Sequence, residues 1–274
     1  MSETGRLAYY TLERLVVLEG YVETLTALHI GKGRALDADA ASDLPVMKDP
    51  FSLPFIPGSS LKGVLRSYTE SLVRGLDGGK LKSCDPVGQV WTGCVDPGKF
   101  SQQQKRGVPQ GEQELRVPED ICDVCDLFGH PNFASRLRFA DLPVDQETWH
   151  ELLLQVRDGV AIDRETSTVA RPMKYDFEVV PAGVHFKLKV AADNVEDWQL
   201  GLFFAAVDAL NSGFNRLGGS TSRGLGSVTI RWQKYRDLTA NDIIAGKAEE
   251  KTDVANFRTG CGKRLQELLN SGRK

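Results

Sequence analysis

Four of the five cysteines carry the clearest chemical signal in this sequence. Cys122 and Cys125 enclose two residues, a spacing that lets both sulfurs face one tetrahedral ion. Cys84 and Cys94 supply a second pair, although nine intervening residues is not a standard ligand spacing. His130 follows five residues after Cys125 and is a candidate to replace one thiolate. The expected ion is Zn2+ in a structural role, with its four positions closed by protein ligands. Such an ion would pin an insertion too poor in apolar residues to order itself. Free buried thiols are the plain alternative, and Cys261 stands apart from the set.

A second group is acidic. His29 is followed by Asp37, Asp39, Asp43 and Asp49, four acids within 13 residues. A carboxylate beside a ribose 2′-hydroxyl can take its proton or hold a divalent ion that does so. The residues themselves do not choose among the four, and a solvated acidic surface is the alternative.

Three segments read as anion or nucleic-acid contacts. The run Pro57-Gly58-Ser59-Ser60-Leu61-Lys62-Gly63 starts a helix, whose free N–H groups and dipole favour an anion. Lys62 and Arg66 lie four apart on one face, within reach of neighbouring phosphates, unless this is simply a capped helix with two solvated cations. In Gly218-Gly219-Ser220-Thr221-Ser222-Arg223-Gly224-Leu225-Gly226, glycines permit close approach, hydroxyls bond phosphate oxygens and Arg223 pairs with one. This loop lacks the GK[ST] of a Walker loop and precedes a strand instead of a helix, so it is neither a P-loop nor a dinucleotide fingerprint; a flexible turn is the alternative. The polar excursion over 160–180 mixes Arg164, Arg171 and Lys174 with Ile162, Met173, Tyr175 and Phe177. Such a hairpin can wedge apolar tips between bases while its cations meet the backbone; a surface hairpin without a partner is the alternative.

These groups need elements to hold them. Residues 12–30 alternate and read as a strand, or a strand pair turning near Glu19-Gly20. Residues 31–52 read as a loop with short extended pieces. Leu61, Val64, Leu65, Tyr68 and Leu72 make a helical stripe capped by Ser59 or Ser60 and stopped near Gly75. SRLRFADLPV reads as a strand, 146–157 as a short helix, VHFKLKVAA as a strand, and VEDWQLGLFFAAVDALNSG as a helix capped by Asp193 or Asn194. SVTIRWQKY forms a last strand and 254–272 a terminal helix. The order implies an α+β domain with a split βαβ sheet and helices on one face.

The 274 residues are 41% hydrophobic, enough for one elaborated core. No run of 18 apolar residues suggests a membrane span, and the first residues lack a signal peptide's pattern, so a cytoplasmic location and reduced thiols are expected. The net charge of −3 does not exclude nucleic acid, because binding depends on where cations sit.

The motifs together resemble one family. HIGKG at 29–33, DLPVMKDP at 43–50, LPFIPGSSLKGVLR at 53–66, the CxVCxLFG stretch at 122–129, AIDRETSTVA at 161–170 and the Gly loop run in the order of the RAMP superfamily. The likeness is greatest to the backbone subunit of type III CRISPR complexes, Csm-type branch, over roughly residues 15–232. It implies a ferredoxin-like (RRM-like) core with a thumb hairpin at 157–180. The expected organisation is a single domain spanning 1–274, in which the cysteines mark an inserted zinc-bearing segment at 76–130 and the residues beyond the likeness form a C-terminal extension at 235–274.

The resemblance also implies stacking with further copies and other CRISPR effector subunits along a guide RNA, with no membrane partner. The thumb interrupts the guide–target duplex about every six nucleotides, and a loop carboxylate cuts the single-stranded target RNA there, assisted by Mg2+ or Mn2+. By motif position Asp43 falls on the cleavage aspartate, with Asp37 or Asp39 as substitutes, and His29 on an RNA-positioning histidine. Ser59, Ser60, Lys62 and Arg66 fall on the guide-contacting helix. Gly218, Gly219, Ser220, Arg223, Gly224 and Gly226 fall on the signature loop, and Arg164, Thr166 and Thr168 in the thumb. The rival readings are a non-catalytic scaffold, a guide-processing endonuclease of the same superfamily, and an unrelated zinc hydrolase.

Overall fold

Alternation dictates the central strand. Val16, Leu18 and Val22 are fully buried on one face, while Glu19, Tyr21 and Glu23 are half-exposed on the other. The computed structural model describes residues 11–31, 42–76, 79–85, 94, 121–130, 134–149, 154–162, 165 and 169–271. In chain order the elements are β1 (Arg14–Thr24), β2 (Phe55–Ile56), α1 (Gly58–Arg74), α2 (Asp123–Phe128), β3 (Leu137–Phe139), β4 (Leu142–Pro143), β5 (Gln155–Ile162), β6 (Val169–Val179), β7 (His185–Asp193), α3 (Asp197–Asn211), β8 (Val228–Thr239), α4 (Ala240–Ile244) and α5 (Val254–Asn270). The main sheet has the order β3-β7-β1-β8 with every neighbour antiparallel. β5 and β6 form a separate antiparallel hairpin, and β2 pairs with β4.

Gly20 marks a bulge and not the turn that 12–30 allowed. Glu19 pairs with Lys234 and Gly20 with Trp232, so Gln233 is the extra residue. A Cβ on Gly20 would stand 2.1 Å from the Arg231 carbonyl oxygen, which is why a glycine is needed there.

α1 buries Leu61, Leu65, Thr69 and Val73, one residue per turn, against the core. Its expected serine cap is absent: Pro57 is the N-cap, and the Gly58 N–H donates to Asp141 Oδ1 at 2.8 Å. A residue between two strands thus replaces a local cap. α3 starts with a capping box between Glu196 and Gln199. Asn194 has φ +51°, and its side-chain oxygen accepts from the Glu13 and Arg14 N–H groups, tying down the start of β1. The stretch SRLRFADLPV splits into β3 and β4, and part of the helix expected over 146–157 is instead the start of β5.

Ten of the fifteen α3 residues are buried, so this helix is covered on more than one side. α5 supplies the second cover. Phe257 stacks on Tyr235 at 4.3 Å and meets Phe204 edge-on, while Gly201 lies against the backbone at Cys261. Among the described residues no helix is long and apolar enough to cross a membrane.

Gly201→Ala tests the contact between α3 and α5. Alanine is favoured over glycine by about 1 kcal/mol inside a helix. Its Cβ here would sit 2.5 Å from the Cys261 carbonyl oxygen. The clash outweighs propensity, and thermal or urea unfolding will show a net loss of about 1–3 kcal/mol.

Candidate nucleic-acid interface and metal centre

The ribbon after β1 is held from two sides. Leu25 and Thr26 N–H donate to the Ser227 carbonyl, Gly226 N–H to Ala27, and Gly219 N–H to His29 at 2.8 Å. On the other side Leu28 and Val180 exchange both main-chain bonds at 2.7 and 2.8 Å. His29 is buried, and its Nδ1–H donates to the Glu178 carbonyl at 2.7 Å. This bond takes up Nδ1 and leaves Nε2 as the other ring nitrogen. Phe177 meets the ring edge-on, with centroids 5.7 Å apart.

This packing explains much of the Gly loop. A Cβ on Gly218 would fall 2.3 Å from the His29 carbonyl oxygen, and one on Gly226 would fall 2.0 Å from that of Leu217. A Cβ on Gly31 would fall 2.7 Å from His29 Nε2. Close approach at these glycines is thus to the protein's own chain. Gly224 differs: its surroundings are open, and only its φ of +88° favours glycine. Gly218, Gly219, Ser220, Arg223 and Gly224 are exposed, whereas Gly226 is buried. Arg223 Nη1 donates to Tyr175 Oη at 2.7 Å and joins the loop to β6. The Tyr175 ring covers Gly159 across the hairpin.

Asp43 is exposed and sits at the base of that same hairpin. Its N–H donates to Asp176 Oδ1 at 2.7 Å, and the Asp176 N–H donates back to Asp43 Oδ2 at 3.1 Å. Leu44 bridges Phe177, and the buried Glu178 carboxylate accepts from Val46 N–H and Lys48 Nζ. Asp49 does different work: its Oδ1 accepts from Phe51 and Leu53 N–H and shapes a tight turn. Asp37, Asp39, Arg164, Thr166 and Thr168 lie outside the described residues.

At the start of α1, Ser59 is exposed while Ser60 and Lys62 are half-buried. Burial, and then the neighbouring Arg66 charge, push Lys62 below the ordinary lysine value. Arg66 turns toward the cysteines. It donates to Glu70 at 2.8 Å, to the Gly129 carbonyl at 2.9 Å and to Cys125 Sγ at 3.4 Å. Asn215 Nδ2 donates to the Val64 carbonyl and links the approach to the Gly loop with α1.

Cys84, Cys94, Cys122 and Cys125 converge with all four sulfurs within 4.8 Å of one another. Zinc–sulfur bonds of about 2.3 Å place the sulfurs of a tetrahedral site about 3.8 Å apart, so the cluster has the size to hold a metal such as zinc. Three of these cysteines are buried and Cys94 is half-buried. Crowding divides their acidity. The hydrogen bond from the Cys125 thiol lowers Cys122 to about 5, the same bond raises Cys125, and burial raises Cys94 to about 12. Replacing shared protons with a cation removes this conflict. His130 is buried nearby but is not among the clustered donors. The helix carrying Cys125 is locked to the core by Asp126, which accepts from Arg136 at 2.9 Å and Gln199 at 2.7 Å.

The sequence reading missed Asp176, Glu178 and the pair formed by Arg223 and Tyr175. Their signal was the alternation in YDFEV, which sends Asp176 and Glu178 to one side of β6 and Tyr175 and Phe177 to the other.

The profile of the RAMP superfamily matches residues 21–229. A protein of Methanocaldococcus jannaschii named CRISPR system Cms endoribonuclease Csm3 is 27% identical over 241 residues, covering 83% of this chain and 81% of its own. The protein of that name from Methanothermobacter thermautotrophicus is 26% identical over 241 residues, covering 86% and 91%. The one from Enterococcus italicus is 30% identical over 162 residues, covering 59% and 68%.

The two kinds of glycine in the loop predict a graded result. Gly218→Ala combines a positive φ with a backbone clash and will cost about 2–3 kcal/mol in urea unfolding. Gly224→Ala meets only the φ penalty and will cost about 1 kcal/mol.

Proposed function

The chain belongs to the RAMP superfamily, and from that premise we propose that it is a guide-RNA-binding backbone subunit of a type III CRISPR ribonucleoprotein, cutting the target RNA through Asp43. The single observation that carries this reading is the Asp43 carboxylate held at the base of the β5–β6 hairpin, within residues 21–229 that match the RAMP superfamily, in a chain similar to proteins named Csm3 endoribonuclease. The core is ferredoxin-like. Its support is the sequence β1-α1-β3-β7-α3-β8 on a sheet ordered β3-β7-β1-β8.

Guide RNA is held by phosphate and 2′-hydroxyl contacts, and base pairing reads the target. Ser59, Ser60 and Lys62 at the start of α1 and the exposed part of the Gly loop take guide phosphates. Arg66 adds positive charge beside Lys62, and His29 fixes the loop on which Gly219 sits. Arg164, Thr166 and Thr168 are the RNA contacts of the thumb sequence. The thumb hairpin displaces one nucleotide about every six and leaves the adjoining 2′-hydroxyl in line with the next phosphate. Asp43 takes the hydroxyl proton, the 2′-oxygen bonds to phosphorus and the bond from phosphorus to the 5′-oxygen breaks. The products are a 2′,3′-cyclic phosphate and a 5′-hydroxyl, whose oxygen gains a proton. Mg2+ or Mn2+, when bound, supplies positive charge for the phosphate. Zn2+ at the four cysteines is structural. Other effector subunits and further copies of the chain are its partners in the cytoplasm.

Cleavage of a complementary RNA by the reconstituted complex with Mg2+ tests Asp43. The wild type will cut at intervals of about six nucleotides, and Asp43→Ala will abolish the cuts while guide and target binding persist. Unchanged cuts would move catalysis to Asp37, Asp39 or another subunit. A wild type that binds both RNAs and never cuts is the scaffold.

Elemental analysis checks the cysteine centre. About one zinc per chain is expected, lost in a Cys122→Ser, Cys125→Ser double variant. Chelation will lower the melting temperature and open the 76–120 segment to protease.

A further inference from the structure

Asp43 and Asp176 close a ring. Each residue donates its backbone N–H to the other's carboxylate, at 2.7 Å to Asp176 Oδ1 and at 3.1 Å to Asp43 Oδ2. Neither carboxylate can rotate without losing a bond. Oδ2 of Asp43 is occupied, and among the described residues no hydrogen bond to Oδ1 is formed, so Oδ1 is the oxygen left for a ligand.

The ring is the outermost described rung of a short ladder between residues 42–46 and the end of β6. The next rungs are the parallel bridge of Leu44 to Phe177 and the Glu178 N–H donated to the Leu44 carbonyl at 3.0 Å. Ser42 Oγ accepts from the Leu44 N–H at 3.2 Å and turns the chain at this edge. Bonds of an N–H to a carboxylate are about twice as strong as neutral ones, which suits a rung open to water. The ladder fastens the loop carrying Asp43 to the hairpin itself and not to the main sheet.

We infer that Asp176 is the positioning residue for Asp43, aiming Oδ1 and holding it in register with the hairpin that displaces the target nucleotide. This rests on the reading of Asp43 as the cleaving carboxylate. Asp176 touches no reacting atom in this scheme. It sets where the cut falls relative to the wedge, and a misplacement of about 1 Å costs on the order of 100-fold in rate.

The test compares wild type, Asp43→Ala, Asp176→Ala and Asp176→Asn, each assembled as the full chain with guide RNA. Single-turnover cleavage of a complementary RNA is measured beside guide and target affinity. Asp176→Ala is expected to slow cleavage about 10–100-fold with both affinities unchanged. It will also add cuts displaced from the regular positions, a change that a merely structural residue would not cause. Asp176→Asn keeps an acceptor for the Asp43 N–H and will recover most of the rate and the register. If Asp43→Ala is inactive while Asp176→Ala cuts like wild type, the inference fails alone. If the Asn variant is as slow as the Ala variant, the Asp176 charge takes part directly and positioning is wrong. Guide binding lost in step with cleavage also overturns it, because the defect then lies in assembly. Full cleavage by Asp43→Ala removes the underlying reading, whatever Asp176 does.

Discussion

The backbone of residues 25–31 is the piece on which the candidate site depends. It has left the sheet, so its N–H and C=O groups need partners elsewhere, and an unpaired buried group would cost about 1–3 kcal/mol. Ser227, Gly226 and Gly219 supply them on one side and Val180 on the other, where the Glu178 carbonyl also accepts from the His29 ring. One ribbon thereby fixes the Gly loop and the end of β6 against each other. The Arg223 bond to Tyr175 repeats the connection through side chains. Anything bound along the exposed loop and anything held at the hairpin base share one frame.

The cysteine centre meets that frame through α1. Arg66 reaches Cys125 from the helix whose first turn carries Ser59 and Ser60. Asp126, next in sequence to Cys125, is paired with Arg136 inside the core. Breaking a buried pair by removing one partner typically costs about 3–5 kcal/mol. Two neighbouring residues, Cys125 and Asp126, thus tie α2 to the sulfur cluster and to the core.

Much of this was legible in the sequence where burial follows a period. β1, β7, α1, α3 and α5 announce themselves by alternation or helical stripes, and the four cysteines by type. What was hidden depends on distant partners. The cap of α1 comes from Asp141, and the break at Gly20 became a bulge because a neighbouring strand presses on it. The Gly loop was readable as glycine-rich, yet the reason for Gly218 and Gly226 is contact with His29 and Leu217. Residue type alone left Asp43 as one acid among four and only motif position singled it out; its ring with Asp176, and the use of Asp49 on its own turn, depend on contacts that no spacing announces.

The ribbon also has a consequence in time. Its partners are far along the chain; Thr26 and Ser227 are 201 positions apart. At translation rates of about 5–20 residues per second, a nascent chain waits roughly 10–40 s between making the two. Helix α1 and the first strand emerge early, but the loop that completes the ribbon arrives only with the last sheet strand. The site is therefore among the last parts to be born. A truncated or stalled product ending before residue 217 would carry residues 25–31 without the Gly219, Gly226 and Ser227 groups that pair with them.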